Sequence, residues 1–103
     1  MKIIWQKSAL KSFKQIADYI KSKFGNTSKG KFVKTVEESD VLLSLNPEMG
    51  PIDPYFSDRN YTFRYLIVAQ GSRLVYRIDG NTIYVVAFWD CRCDPVAQAK
   101  KIK

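Results

Sequence analysis

Tyr61 to Asp90 reads YTFRYLIVAQGSRLVYRIDGNTIYVVAFWD, and the punctuation of this stretch decides the fold. Three runs rich in β-branched and aromatic residues, 61–69, 72–78 and 82–89, are separated by Gln70-Gly71 and Asp79-Gly80, residue types suited to tight hairpin turns. They predict a three-stranded antiparallel meander. If both turns are two-residue hairpins, Arg77 faces Thr82, Tyr76 faces Ile83, Val75 faces Tyr84 and Arg73 faces Val86. On the other side Ile67 faces Leu74, Tyr65 faces Tyr76 and Arg64 faces Arg77. One face then collects Phe63, Tyr65, Ile67, Leu74, Tyr76, Ile78, Ile83, Val85 and Ala87, which belong under a covering layer. The opposite face collects Arg64, Arg73, Arg77, Tyr84, Phe88, Asp90 and, if the strand continues, Arg92. A three-residue loop with a bulge at either turn reverses this parity.

Upstream, Ile3-Ile4-Trp5 is a short strand, and Ser8 stands where a helix N-cap is expected. Leu10, Phe13, Ile16, Ala17, Ile20 and Phe24 follow helical spacing, with Lys7, Lys11, Lys14, Asp18 and Lys21 on the opposite face, so a first helix spans roughly 8–24. Gly25-Asn26 stops it. Thr27 or Ser28 can cap a second helix that turns Phe32, Val33, Val36, Leu42, Leu43 and Leu45 inward and ends at Asn46-Pro47. Two such helices joined by about three residues form an antiparallel hairpin. Residues 47–60 hold three prolines and no periodicity, which predicts an irregular connection. The tail from Asp94-Pro95 is short and basic, about one helical turn. The expected architecture is α+β: an N-terminal strand, a helical hairpin and a meander packed on the helices, in a single domain, 1–103.

Composition narrows the chemistry. The chain has 103 residues, enough for one core. Its longest apolar run, Ile83 to Trp89, is seven residues, against the roughly 20 of a membrane span. The start turns polar too early for a secretory segment, and two cysteines make no disulfide framework, so a cytoplasmic location is expected. There is no histidine. Ser-His-Asp and Cys-His relays and HExxH zinc sites are therefore excluded, and Cys91-x-Cys93 supplies two thiolates where a structural zinc takes four ligands. Any catalysis falls to Arg, Lys, Tyr, Asp or Glu; no metal or cofactor is expected.

The net charge of +7 points toward an acidic or polyanionic partner. Residues 1–34 hold nine lysines and one acid, 35–60 hold six acids and one base, and 61–103 hold seven bases and three acids. All twelve lysines lie before 35 or after 99, whereas four of five arginines lie between 64 and 92. Arg is the planar fork that matches phosphate. Two readings of the arginine face stand side by side: a pocket for phosphate oxygens with Tyr84 or Phe88 stacking on a base, or a solvated face with Arg77 neutralised by Asp79 or Asp90. The lysine stripe of helix one reads as a solvated face ahead of a nucleic-acid contact, the run Glu37-Glu38-Ser39-Asp40 as the outer face of helix two, Trp5 and Trp89 as core or rim, and the two cysteines as reduced thiols without a role.

This order of elements resembles the RelE/ParE superfamily of toxins from bacterial type II toxin–antitoxin pairs. The resemblance runs through WQKSALKSFKQIADYI, LLSLNPEMG, FRYLIVAQGSRLVYRID and IYVVAFWDCRCDP. Its specific parts are the Arg-x-hydrophobic-Tyr pattern at Arg73-Leu74-Val75-Tyr76 and the tail Arg92-Cys93-Asp94-Pro95. It implies a growth inhibitor neutralised by a cognate acidic antitoxin, with one of two activities. RelE-like members are ribosome-dependent mRNA interferases, in which the RNA 2′-hydroxyl attacks the adjacent phosphate while basic side chains move protons and stabilise charge. By motif, Arg64, Arg73 and Arg92 are then the catalytic candidates of a metal-independent endoribonuclease, and the arginine face adds Arg77, Tyr84 and Phe88 as nucleic-acid or target contacts. In this chain Leu66 replaces the second basic residue of the preceding strand and no tyrosine follows Arg92. Those departures resemble the ParE branch, whose members inhibit DNA gyrase without being nucleases. Gyrase is thus the expected target, with ribosome-bound mRNA as the alternative and a non-toxic antitoxin- or nucleic-acid-binding module as a third reading.

Overall fold

The apolar run at the N-terminus forms strand β1 (Lys2–Trp5), and helix α1 (Lys7–Phe24) follows after one residue. The computed structural model describes residues 1–102; Lys103, the last residue of the expected domain, lies outside them. Ser8 lies inside α1, which begins from Gln6 with no side-chain cap, while Lys21 and Lys23 in the last turn face the negative end of the helix dipole. Gly25, at φ 93°, closes α1 and is directly followed by α2 (Asn26–Leu45), so one residue joins the helices instead of three.

Strands β2 (Phe63–Val68), β3 (Ser72–Asp79) and β4 (Thr82–Asp90) form the expected meander, and helix α3 (Pro95–Lys100) ends it. The sheet order is β1-β4-β3-β2, with β1 parallel to β4 and the other pairs antiparallel. No described helix is long and apolar enough to cross a membrane.

Three local features correct the expected register. Val68 pairs with Ser72 across Ala69–Gly71, a three-residue link with Gly71 at φ 66°, so Arg64 sits opposite Tyr76, not Arg77. The second turn is Gly80-Asn81, flanked by the pair Asp79 and Thr82, and a bulge interrupts β3 against β4. Tyr76 pairs with Val85 and Val75 with Ala87, leaving Val86 extra. Because side chains alternate with period two, the one-residue slips at the first link and at the bulge each move a set of residues to the other face, whereas the second turn shifts the register by two and does not.

The sheet is consequently covered on both sides. Under α1 and α2, Leu74, Tyr76, Ile83, Val85 and Phe88 are buried with Ala9, Ala17, Ile20, Phe32, Val36 and Leu43. Trp5, Phe13, Phe32 and Phe88 form a ring cluster with centroids 5.5–6.2 Å apart. The far face is a second core of Phe56, Phe63, Val75, Val86, Ala87, Trp89 and Ala99, roofed by a 3-10 turn at Pro54–Phe56 and by α3. Phe63, Tyr65 and Ala87 thus pack away from the helices, and Ile67 is exposed. On α2, Leu42 and Leu45 are 52% and 72% exposed. Measured from Phe32, they lie about 280° and 220° round the helix, beyond the reach of a face centred on Phe32, Val36 and Leu43.

The connection 46–60 is irregular apart from the 3-10 turn, and buried groups hold it down. The Tyr76 hydroxyl donates to the Pro47 carbonyl at 2.7 Å and accepts from the Gly50 amide at 3.1 Å. A Cβ on Gly50 would collide with the Tyr65 carbonyl and come within 2.9 Å of the same hydroxyl. Burial pushes the Tyr76 phenol pKa further up, so the hydroxyl keeps its donor proton.

Asp40 leaves the expected outer face of α2 and accepts from Trp5 Nε1 at 3.0 Å, with its Oδ1 buried and unpartnered. Burial raises its pKa, the Trp5 bond opposes this, and Glu37 one turn earlier adds to it. A carboxyl with a raised folded pKa favours the protonated folded state, so its contribution is fully present below the unfolded pKa and lost as pH rises through the folded one. Asp40→Asn keeps an acceptor for Trp5 and removes the buried charge. Thermal melts are expected to show the Asn variant more stable than the parent at pH 7, with the gain shrinking toward zero below about pH 4. A variant less stable at pH 7 would show that the carboxylate charge itself contributes.

Candidate functional site

Arg73, the arginine at the centre of the meander, lies opposite Trp89 on β4 and Ile67 on β2, on the face away from α1 and α2. Its Nε donates to Asp53 Oδ2 at 3.2 Å and its Nη2 lies 3.1 Å from Asp53 Oδ1. Its guanidinium carbon stands 3.7 Å from the centroid of the Tyr65 ring and 5.1 Å from that of Tyr55. The Asp53 side chain is 0% exposed and that of Arg73 12%. Asp53 Oδ1 also accepts the Tyr55 amide at 2.9 Å, which caps the 3-10 turn. Both carboxylate oxygens and one edge of the arginine fork are therefore engaged inside the protein.

The other arginines are bonded too. Arg64 reaches back to the connection, donating from Nη1 to the Gly50 carbonyl at 2.8 Å. Arg77 lies between the rings of Tyr61 and Tyr84, at 4.5 and 4.6 Å, with Asp79 Oδ2 at 3.4 Å from Nη1. Arg59 ties α3 to the far-face core through the carbonyls of Ala99 and Ile102, the first at 2.7 Å, and lies over Phe56. Arg92, 84% exposed, forms a fork with Asp90: Nε to Oδ1 at 3.0 Å and Nη2 to Oδ2 at 2.8 Å. This hydrogen bond lowers the Asp90 pKa and raises that of Arg92, so the pair stays ionised.

The expected sets are thus partly separated. Arg73 and Arg77 share the far face with Tyr84, whereas Arg64 is drawn off to the Gly50 turn by the three-residue link. Phe88 is 2% exposed inside the helix-side aromatic cluster, where it cannot stack on a base; the bulge at Val86 put it there. Arg92 lies apart, beside a cleft of about 260 Å³ walled by Tyr19, Ile20 and Phe24 of α1 and by Ser72 and Asp90. Cys91 and Cys93 are exposed thiols, and burial raises the Cys91 pKa, which keeps it protonated near neutral pH. Among the described residues no three Cys, Asp or Glu side chains cluster as a metal site would require.

Asp53 is the residue the sequence reading missed. Its signal was present: Asp53-Pro54 is a turn-initiating pair, and an Asp there favours capping the backbone two residues on. That its second oxygen would meet Arg73 depends on tertiary packing.

The pattern of the family described as the ParE toxin of type II toxin-antitoxin system, parDE, matches residues 3–95. This chain belongs to that family. A solved structure described as the chromosomal ParDE TA system from P. aeruginosa is similar in fold, with a TM-score of 0.71 at 20% identity, covering 87% of this chain and 95% of that one. No curated protein matches the chain.

Removing Arg73 strands a fully buried carboxylate, a change that costs about 3–5 kcal/mol, against a total domain stability of about 5–15 kcal/mol. Urea unfolding of Arg73→Ala is expected to show a loss of this size. Arg73→Met combined with Asp53→Asn should recover most of it, because the charge goes with its partner while an acceptor for the Tyr55 amide remains. A loss below about 0.5 kcal/mol in the single variant, the range of an ordinary surface change, would mean that the pair is not structural.

Proposed function

We propose that this ParE toxin is held by an acidic ParD antitoxin and, when released, arrests growth through DNA gyrase without cutting RNA. The observation that carries this reading is the engagement of Arg73. To stabilise a phosphate in a cleavage transition state, an arginine must present its fork to the scissile oxygens. In this chain Nε and Nη2 face Asp53, and a ring covers the plane of the guanidinium. Freeing the fork would leave the Asp53 carboxylate buried and unpaired.

Proton transfer is equally poorly provided for. The basic and phenolic candidates are Arg64, Arg92 and Tyr84, and guanidinium and phenol groups are poor general bases near neutral pH; the hydrogen bond to Asp90 holds the Arg92 proton still more firmly. The sequence departures at Leu66 and after Arg92 point the same way. Membership of the parDE family supports a ParD partner, and the net charge of +7 favours an acidic binding segment.

Two assays on the same preparation test the target. Primer extension on mRNA after expression is expected to show no codon-positioned cuts. Purified gyrase is expected to lose supercoiling activity as the toxin is added and to regain it with the antitoxin. Efficient cuts with normal supercoiling would establish the RelE-like alternative, and no effect in either assay would leave the non-toxic module as the reading.

A further inference from the structure

With the arginines engaged within the protein, the exposed positive charge concentrates on the helical hairpin. Lys7, Lys11, Lys14 and Lys21 of α1 are all exposed, and no ion pair joins them to an acid among the described residues. At 100° per residue they fall within a sector about 80° wide, and at 1.5 Å per residue they span about 21 Å. The single acid in that sector, Asp18, is itself drawn to Lys29 of α2 at 3.6 Å. The stripe therefore carries four lysines and one exposed acid, Asp18, between Lys14 and Lys21, and stays net positive along the outer side of the hairpin, opposite the face that buries Ala9, Ala17 and Ile20.

We propose that this stripe is a sequence-independent docking surface for the phosphate backbone of duplex DNA, separate from the arginine face and not dependent on the choice of gyrase as target. Charge complementarity and shape favour this occupant. Duplex DNA advances 3.4 Å per base pair, so about 21 Å of stripe lies along roughly six base pairs of a rigid, linear polyanion. Lysines are point charges that bind phosphate without reading bases, as a sequence-independent contact needs. The sector contains no aromatic side chain, which a single-stranded partner would use for stacking. Nor does it carry the apolar side chains that an in-plane membrane helix buries. An acidic protein segment of ordinary affinity would seek apolar anchors, and on α1 these are Leu10, at the border of the stripe, and Tyr19 and Phe24, which lie off it.

The test is fluorescence anisotropy of the purified full chain with a labelled 24-base-pair duplex of arbitrary sequence. Four phosphate contacts predict a slope of about −3.6 for log affinity against log salt, or about a 150-fold loss between 50 and 200 mM. The variant carrying Lys7→Gln, Lys11→Gln, Lys14→Gln and Lys21→Gln alters only exposed positions. It should melt as the parent does and lose at least about tenfold in affinity at 50 mM salt, with a slope no steeper than about −1. The control carrying Lys2→Gln, Lys100→Gln and Lys101→Gln removes three charges elsewhere and should keep the parental slope within about one unit. The proposal is overturned if the four-lysine variant binds as the parent does, or if the control loses as much. It is also overturned if the parent prefers single-stranded DNA, polyglutamate or anionic lipid vesicles to the duplex.

Discussion

The pairing of Asp53 with Arg73 is the constraint around which the far side of the molecule is organised. A carboxylate with no solvent exposure is tolerable only with its oxygens bonded, and here a guanidinium and a backbone amide do so together. The pair fixes the 3-10 turn, the turn sets Phe56 against Phe63 and Trp89, and that cluster receives α3. Arg59 then bonds the last carbonyls of the tail. A side chain that a motif comparison marks as catalytic is here the keystone of a second core. Loss of toxicity after its mutation therefore has a folding explanation before it has a chemical one.

Much of this was legible in the sequence. The strand, the two helices, the irregular proline segment and the meander all follow from periodicity and turn residues, because each of those signals is local. What failed was parity. One additional residue in the Ala69–Gly71 link and one in the bulge at Val86 are small in sequence, yet each reverses the assignment of every side chain beyond it. Arg64 and Phe88 were misplaced for this reason alone. The continuous apolar run from Ile83 to Trp89 did carry a corrective signal, since a strand with both faces buried reads as an unbroken hydrophobic run instead of alternating.

The two kinds of cation have divided roles. Arginine, with a flat fork that stacks and bonds at once, is built into the structure against Tyr65, Tyr61, Tyr84 and Phe56. Lysine, strongly hydrated and flexible, is left on the helix surfaces. The formal net charge thus overstates what the sheet can offer a partner and understates what the hairpin can.

The strap at residues 50–53 also shields the sheet from its own kind. Tyr65 donates its amide to the Pro51 carbonyl, Asp53 donates its backbone amide to the Phe63 carbonyl, and Ile52 bridges Arg64, so outward backbone groups in the first half of β2 are already taken. An unoccupied edge of this length, carrying Tyr65 and Ile67, would be a template for pairing with a neighbouring chain and hence for fibrous aggregation. The same proline-rich segment that looks structureless in the sequence closes that route over the first half of β2, and any variant that loosens it should raise the tendency to aggregate before it abolishes the fold.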